Sequence, residues 1–579
     1  MEEQIKMSAD LLVVGGGIGG AHAALRAAEL GAEVILVEKA VVARAGPMTF
    51  VHSQFAPDHP VTEDELLPWI EEFVLGANYM VDQDWVKQFV LESYGRIQQQ
   101  IDWGVPYNTD SSGQLKYAKV RGQKVSTSLG VDGRVNMEIL RRRLKASRRV
   151  TLIEKVAVVD LLTSDGIRPT NADISGAVGI HVRTGQPHVF QAKNVLLNTG
   201  PWYPKMHFAF ADHCTGEGHG AAWRAGAEFA GMEFAQFAAW SYFNNEFFTP
   251  GQAKIQGIGA HFINAAGECF MDRYDPVWGE QSGLFQVARA IMTENIEGRG
   301  PCMLDFRHIS QADMEVLYEV SPSVGQAFKE FNIDPSKDLL ELNPFVVVGS
   351  GTSGSAGPDI GLNGETNIDG LYAAGWCTSN PTAMTGINGG GATASAVGGY
   401  RAGEHAAKRA DSIDMPQVHD DQVKQSLDDY FKPMRKLRQV RAADIWMKIG
   451  EITTRTTFSL YKTEESIDQA IHDLCDLRDE MVPKIYAPDY HELEKASEVR
   501  NYLDMAILAC RAMRLRTESR GELFRADYPY MDNDNWLKWI ILRSQSGSDE
   551  PVVSYRELPY ERWPVKAPPG RTPSPYLVK

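Results

Sequence analysis

Residues 11–39 read LLVVGGGIGGAHAALRAAELGAEVILVEK, and this stretch decides the fold. Leu11 to Val14 are a short apolar run, long enough for a buried strand. Gly15, Gly16, Gly17, Ile18, Gly19 and Gly20 follow, then an alanine-rich helical pattern, then a second strand closed by Glu38 and Lys39. Gly15 permits a tight turn, Gly17 lets backbone approach a pyrophosphate, and Gly20 lets the helix pack on the strand. The unpaired N–H groups at the helix start favour an anion there. Glu38 stands where a carboxylate can accept from ribose hydroxyls. Glycine spacing, strand, helix and acidic residue all fall where dinucleotide binding needs them.

More distant segments favour a flavin. VLLNTG (195–200) is a strand ending in a small-residue turn at Thr199 and Gly200. TGEGHGAAWRAGAEF (215–229) opens a helix at Thr215 and Glu217, with His219 inside it. GLYAAGW (370–376) ends at Gly375 and Trp376. It is followed by TGINGGGATASAVGGYRAGEHAA (385–407), a glycine turn and a small-residue helix. Met384, Thr385, Asn388, Gly391, Ala392 and Thr393 lie in that element. Its N-terminus is suited to the polar end of an isoalloxazine ring. Arg44, Ala45, Gly46 and Ala157 complete the candidate cofactor set.

The totals narrow the class. The chain has 579 residues, enough for several domains. Its net charge of −17 argues against broad nucleic-acid or anionic-membrane binding. The basic run RRRLKASRR (141–149) reads as a solvated helix end. No apolar run reaches membrane-spanning length, and the acidic N-terminus does not read as a secretory signal. The six cysteines are scattered without a CxxC, so no self-contained iron–sulfur or zinc site is expected. Free thiols suggest a reducing compartment, by default the cytoplasm.

Long segments resemble the flavoprotein subunits of the fumarate reductase and succinate dehydrogenase superfamily. TGEGHGAAWRAGAEFAGMEFAQF (215–237) is similar to their TGDGHxxAxxAGAxxxxMEFVQF. GECFMDRYDP (267–276), ARAIMTENIEGRGP (288–301), GETNIDGLYAAG (364–375) and RTESRGELFRADYPYMDNDNWLKW (516–539) resemble further family segments. ARAGPM (43–48) sits where flavinylated members carry RSH, so Gly46 replaces the histidine and the FAD is expected to be non-covalent. The glycine and the TESR lead-in resemble the adenylylsulfate reductase alpha-subunit branch. The resemblance implies an α/β (α+β overall) architecture with a Rossmann-type FAD-binding domain at 1–240 and 350–412. An inserted capping domain at 241–349, a C-terminal helical domain at 418–545 and a tail at 546–579 would complete it.

MEFAQFAAWSY (232–242) enters the expected active site. Carried over position by position, the polar dicarboxylate-binding groups of the family become Ala238, Trp240, Ile258, Leu284 and Ile387. Unpaired carboxylates cost several kcal/mol to bury. These replacements lead us to expect an FAD-dependent oxidoreductase that is not a fumarate reductase or succinate dehydrogenase. Its substrate would be a non-dicarboxylate, aromatic or apolar small molecule. Catalytic candidates are His261, Tyr242, Trp240, Asn244 and Thr352, with Asn245 and His219 nearby and Arg289 structural. The alternatives are an adenylylsulfate-reductase-like flavoprotein exchanging electrons with a ferredoxin-like iron–sulfur partner, and a flavin-loaded scaffold. An oligomer without a membrane span, and no metal ligands in this chain, are expected.

Overall fold

A computed structural model describes residues 4–44, 46–118, 124–205, 213–249, 251–276, 278–350, 356–379 and 390–573. Its centre is a mixed sheet in the order Val150–Glu154, Val34–Glu38, Ile5–Val14, Pro187–Leu197, Ile174–His181, Val156–Thr163. Leu371–Ala373 adds to the second half of Pro187–Leu197, in parallel. The strands at Val150, Val34, Ile5, Pro187 and Leu371 all run the same way. Their buried apolar runs match a parallel sheet covered on both faces. Their carboxyl ends, at Val14, Glu38, Leu197 and Ala373, open toward one crevice, the usual place for a ligand in such sheets.

Two helices close on that crevice. The first, Ile18–Glu29, is almost wholly buried, which its alanines tolerate. The glycine-rich helix Gly390–Ala410 lies against it with almost no gap. A Cβ on Gly399 would stand 2.1 Å from the Gly19 carbonyl oxygen, and one on Gly403 would stand 2.3 Å from that of Ala23. The small-residue spacing is therefore a contact surface between two helix backbones.

A second, antiparallel sheet of four strands joins Gln236–Tyr242, Leu340–Val348, Met303–Asp305 and His261–Ile263. Helices Gln252–Gly257 and Leu284–Ile296 belong to the same part of the chain. A small sheet, Ser53–Phe55, Ser128–Gly130 and Tyr117–Ala118, is inserted in sequence between the first sheet's strands Val34–Glu38 and Val150–Glu154.

The C-terminal third begins helical, with Asp420–Phe431, Ala442–Thr453, Glu464–Asp476 and Tyr490–Leu515. Asp489 caps the last of these by accepting from the Glu492 N–H. The chain then turns to strands. Lys538–Gln545 pairs with both Phe229–Ala230 and Ser548–Glu557, so the end of the chain is stitched to its middle. Among the described residues no helix is long and apolar enough to cross a membrane.

A fully buried ionic network ties this region together. Arg516 donates to Glu233 (2.7 Å) and Glu518 (2.8 Å), and Arg520 donates to Glu518 (2.7 Å). All four side chains have no exposed surface. Glu233, the acidic group in MEFAQFAAWSY, is thus paired to the RTESR segment. The aromatic face of Trp536 lies 4.9 Å from the Arg516 guanidinium.

Candidate functional site: a dinucleotide cavity at the sheet ends

The crevice at the strand ends deepens into a pocket that opens to solvent. Its lining includes Gly15, Gly17, Ile18, Glu38, Lys39, Gly46, Ala157, Thr199, Gly200, Glu217, Trp376, Gly391 and Ala392. Residues from distant segments of sequence therefore meet at one place.

The cradle depends on missing side chains. Gly15 has a φ of 103°, and a Cβ there would lie 2.3 Å from the Asn198 carbonyl oxygen. A Cβ on Gly20 would lie 2.0 Å from the Gly15 carbonyl oxygen. Gly17 is the N-cap of the first helix and no side chain caps it, so its first N–H groups remain for a ligand. Glu38 is oriented by its neighbours: Oε2 accepts from the Gly16 N–H (2.8 Å) and Oε1 from the Ala40 N–H (2.9 Å). Each carboxylate oxygen keeps further acceptor capacity for a ribose hydroxyl. Glycine cradle, helix start and carboxylate fit an FAD.

Other predicted cofactor residues support the lining from behind. Gly19 would, with a Cβ, collide with the Asn198 amide at 2.4 Å, and Gly375 with the Ser395 hydroxyl at 2.6 Å. Thr215 donates its hydroxyl to Glu217 (3.0 Å), and Thr393 donates to the Phe55 carbonyl (2.7 Å). Arg44 is exposed and does not line the cavity. Ala45, Met384, Thr385, Ile387 and Asn388 lie outside the described residues.

Several lining residues are not singled out by the sequence. Asn198, Pro47, Met48 and Ser395 stand within the quoted segments, whereas Val51, His213 and Cys214 lie outside them, and all face the cavity. The Gly46 N–H donates to His213 Nε2 at 2.8 Å, so a histidine does stand beside the glycine that replaces the family's flavin-linked one. Spacing alone could not find it, because it lies 167 residues away in the chain.

Lys39 anchors one wall. Its amine lies 2.5 Å from Glu217, 3.2 Å from Glu498 and 3.7 Å from Glu494, and it donates to the His213 carbonyl at 3.0 Å. Lys205 pairs with the other oxygen of Glu498 at 2.5 Å. Burial disfavours the Lys39 charge, but the surrounding carboxylates, Glu217 first, hold its pKa well above the ordinary lysine value. Burial pushes Glu494 up to about 7, against the pull of Lys39. The carboxylates of Glu217, Glu494 and Glu498 are close enough to share a cation. The Lys39 ammonium already serves that purpose. His219, one turn into the same helix as Glu217, is fully buried, and burial lowers it to about 3.

The catalytic candidates do not gather. Trp240 is fully buried, its ring edge-on to Phe262 at 5.2 Å, and its indole N–H donates to the Tyr242 hydroxyl at 3.4 Å. Tyr242 is also fully buried, with Thr249 as a second partner at 3.1 Å. Asn244 and Asn245 sit in an exposed turn with φ values of 54° and 71°. The His261 ring stacks on His308 with centroids 3.8 Å apart, and burial followed by the His308 charge lowers its pKa. None of these lines the cavity, and Thr352 lies outside the described residues. Arg289 packs its guanidinium over the Phe524 ring at 3.8 Å.

Comparison with known proteins bears on the chemistry. The family model described as FAD binding domain matches residues 10–395, and that described as fumarate reductase flavoprotein C-term matches residues 448–572. One chain of the fumarate reductase (CoM/CoB) of Methanothermobacter marburgensis is 27% identical, over 92% of this chain and 96% of the relative. The succinate dehydrogenase flavoprotein subunit of Rickettsia conorii is 25% identical, over 95% of each. A solved quinol–fumarate reductase superposes with a TM-score of 0.84 at 20% identity, covering 96% of this chain and 99% of the other. Adenylylsulfate reductase of Archaeoglobus fulgidus gives a TM-score of 0.79 at 20% identity, over 96% of each chain.

These relatives correct one expectation. Fumarate reductases and succinate dehydrogenases that match almost end to end overturn both the exclusion of that pair of activities and the aromatic or apolar substrate derived from it. The structure supplies the reason. Ala238 packs among Phe285, Ala288, Val346 and Phe524, and Trp240 belongs to the core of the second sheet. Ile258 and Leu284 pack against that same core. Among the described residues, these apolar replacements record packing in and against the second sheet, not the lining of the cavity.

Proposed function

Because the chain belongs to the FAD-binding family of fumarate reductase and succinate dehydrogenase flavoproteins, we propose that it interconverts fumarate and succinate, or a close dicarboxylate pair, as the flavin-carrying part of an oxidoreductase. The observation that carries this reading is the end-to-end match to relatives of both names. FAD supplies two-electron transfer at its ring when bound. The protein's residues then have three tasks: to bind the cofactor, to close the site, and to hold an anionic substrate.

Binding falls to the glycine cradle, the starts of the first and glycine-rich helices, and Glu38. Gly46 offers no side chain for a bond to flavin, and His213 Nε2 is engaged by a backbone N–H, so attachment is non-covalent in this proposal. Closure falls to a cap at about 241–349, which covers the ring end. The helical part, about 418–545, braces the nucleotide end through Glu494 and Glu498. The electrons leave or arrive through an iron–sulfur partner. This chain has no CxxC, and all six of its cysteines are free, which also supports a reducing, cytoplasmic setting.

The test is direct. Purified chain should carry a flavin spectrum, release the flavin on acid precipitation, and oxidise reduced benzyl viologen in the presence of fumarate. A flavin-replete protein inactive with fumarate, and equally inactive in succinate-dependent dye reduction, would overturn the reading. Flavin retained in the acid pellet would overturn the non-covalent part alone.

A further inference from the structure

Packing does not explain why residue 46 is a glycine. Its φ of 88° and ψ of 157° lie where side chains are disfavoured, yet a Cβ there would meet nothing within 4 Å. What this backbone conformation achieves is the aim of one peptide. The Gly46 N–H donates to His213 Nε2 at 2.8 Å, while the Gly46 carbonyl accepts from the Thr49 hydroxyl (2.9 Å) and the Thr49 N–H (3.2 Å). His213 is held from its own backbone as well. Its carbonyl accepts from Lys39 Nζ at 3.0 Å, and the carbonyl of Cys214 accepts from the Tyr203 N–H at 2.8 Å. A backbone N–H only donates, so Nε2 accepts and the ring proton sits on Nδ1. The imidazole is therefore neutral, half-buried and fixed at both ends. Gly46, Met48, His213 and Cys214 all line the cavity.

We propose that His213, with its imidazole clasped by the Gly46 peptide, is an FAD-binding residue that contacts the flavin ring. The inference rests on FAD binding and not on the identity of the substrate. Gly15, Gly17 and Glu38 are the lining that suits pyrophosphate and ribose. The wall carrying Gly46, Met48, His213 and Cys214 is lining that those contacts leave for the ring. An uncharged imidazole lies against an uncharged flavin without the cost of burying a charge. Its Nδ1–H is a donor of the kind that the nitrogen and carbonyl edge of an isoalloxazine accepts. Lys39 joins the two ends of the site: it follows Glu38 in the chain and holds the His213 carbonyl. The Gly46 clasp is what keeps the ring in place, so an aromatic side chain that cannot accept from Gly46 does not replace it.

The test titrates FAD and ADP into the full-length apoprotein. His213→Phe should weaken FAD about 3- to 10-fold, the loss of one net hydrogen bond, and leave ADP, which lacks the ring, bound as in the wild type. His213→Gln, whose amide oxygen accepts from the Gly46 N–H, should restore most of the FAD affinity. Gly46→Ala should weaken FAD in the same direction, and the double variant with His213→Phe should lose no more than the larger single loss, because both break one contact. Diethylpyrocarbonate, which acylates neutral imidazoles, gives a second readout by site-resolved mass spectrometry. FAD should protect His213 and leave His59, half exposed on the surface, labelled as before. Wild-type FAD affinity in His213→Phe, or His213 labelling that FAD does not change, would overturn the assignment. Equal weakening of FAD and ADP would overturn the ring contact in favour of a general disturbance of the fold. None of these readouts needs turnover, so inactivity with fumarate would overturn the substrate reading and leave this one standing.

Discussion

Gly399→Ala tests whether the cofactor site depends on backbone-to-backbone contact of two helices. The added Cβ would lie 2.1 Å from the Gly19 carbonyl oxygen, where real Cβ atoms keep at least 3.0 Å. The glycine-rich helix must therefore retreat by at least about 0.9 Å, and Gly403 prevents a simple pivot because it meets the Ala23 backbone as closely. Overpacking of this kind costs about 1–3 kcal/mol. The retreat also moves Gly391 and Ala392 relative to Gly17 and Ile18, which line the same cavity. A hydrogen bond to a charged ligand stretched by about 1 Å is lost, and each such bond contributes about 1.5–3 kcal/mol. FAD affinity should fall about 10- to 100-fold. The assay is fluorescence titration of FAD into apoprotein, with melting temperatures beside it. The control is one residue away: a Cβ on Gly398 meets only the Ala374 Cβ and the Trp85 ring, both at 3.8 Å. Gly398→Ala should bind FAD normally and gain up to about 1 kcal/mol from helix propensity. If Gly399→Ala binds FAD and melts like the wild type, the close-contact reasoning is wrong.

Three further outcomes follow from the buried charges and the second sheet. Glu518→Ala leaves Arg516 and Arg520 without their shared carboxylate at zero exposure, so it should cost about 3–5 kcal/mol and show as a large loss of urea resistance. Glu494 has a folded pKa raised to about 7 by burial, so its stabilising contribution is complete below the ordinary carboxyl value near 4.5 and is lost as pH rises through about 7. Glu494→Gln should therefore match the wild type's melting temperature near pH 5 and exceed it at pH 8; a pH-independent difference would refute this. Trp240→Ala should destabilise by about 3–5 kcal/mol as a core truncation, whereas Trp240→Phe should leave fumarate KM unchanged, because the ring packs on Phe262 and does not face the cavity.

How much of this was legible depends on where the constraint lies. Gly15, Gly17 and Gly20 could be read because a tight turn and two close approaches admit no other residue, and local spacing records that. Glu38 could be read because it closes a strand of fixed length. Val51 and His213 could not, since no periodicity marks a residue outside helix and strand that faces a ligand. The second sheet misled for a different reason. An alignment transfers a position but not a direction. On Gln236–Tyr242, Ala238 and Trp240 point into one packed layer, while Phe237 and Ala239 point into another with Tyr203, Phe345 and Val347. A strand buried on both faces has no wet wall to lose. When a histidine disappears from such a strand, packing fills the space, and a charge needed by a ligand must come from another element.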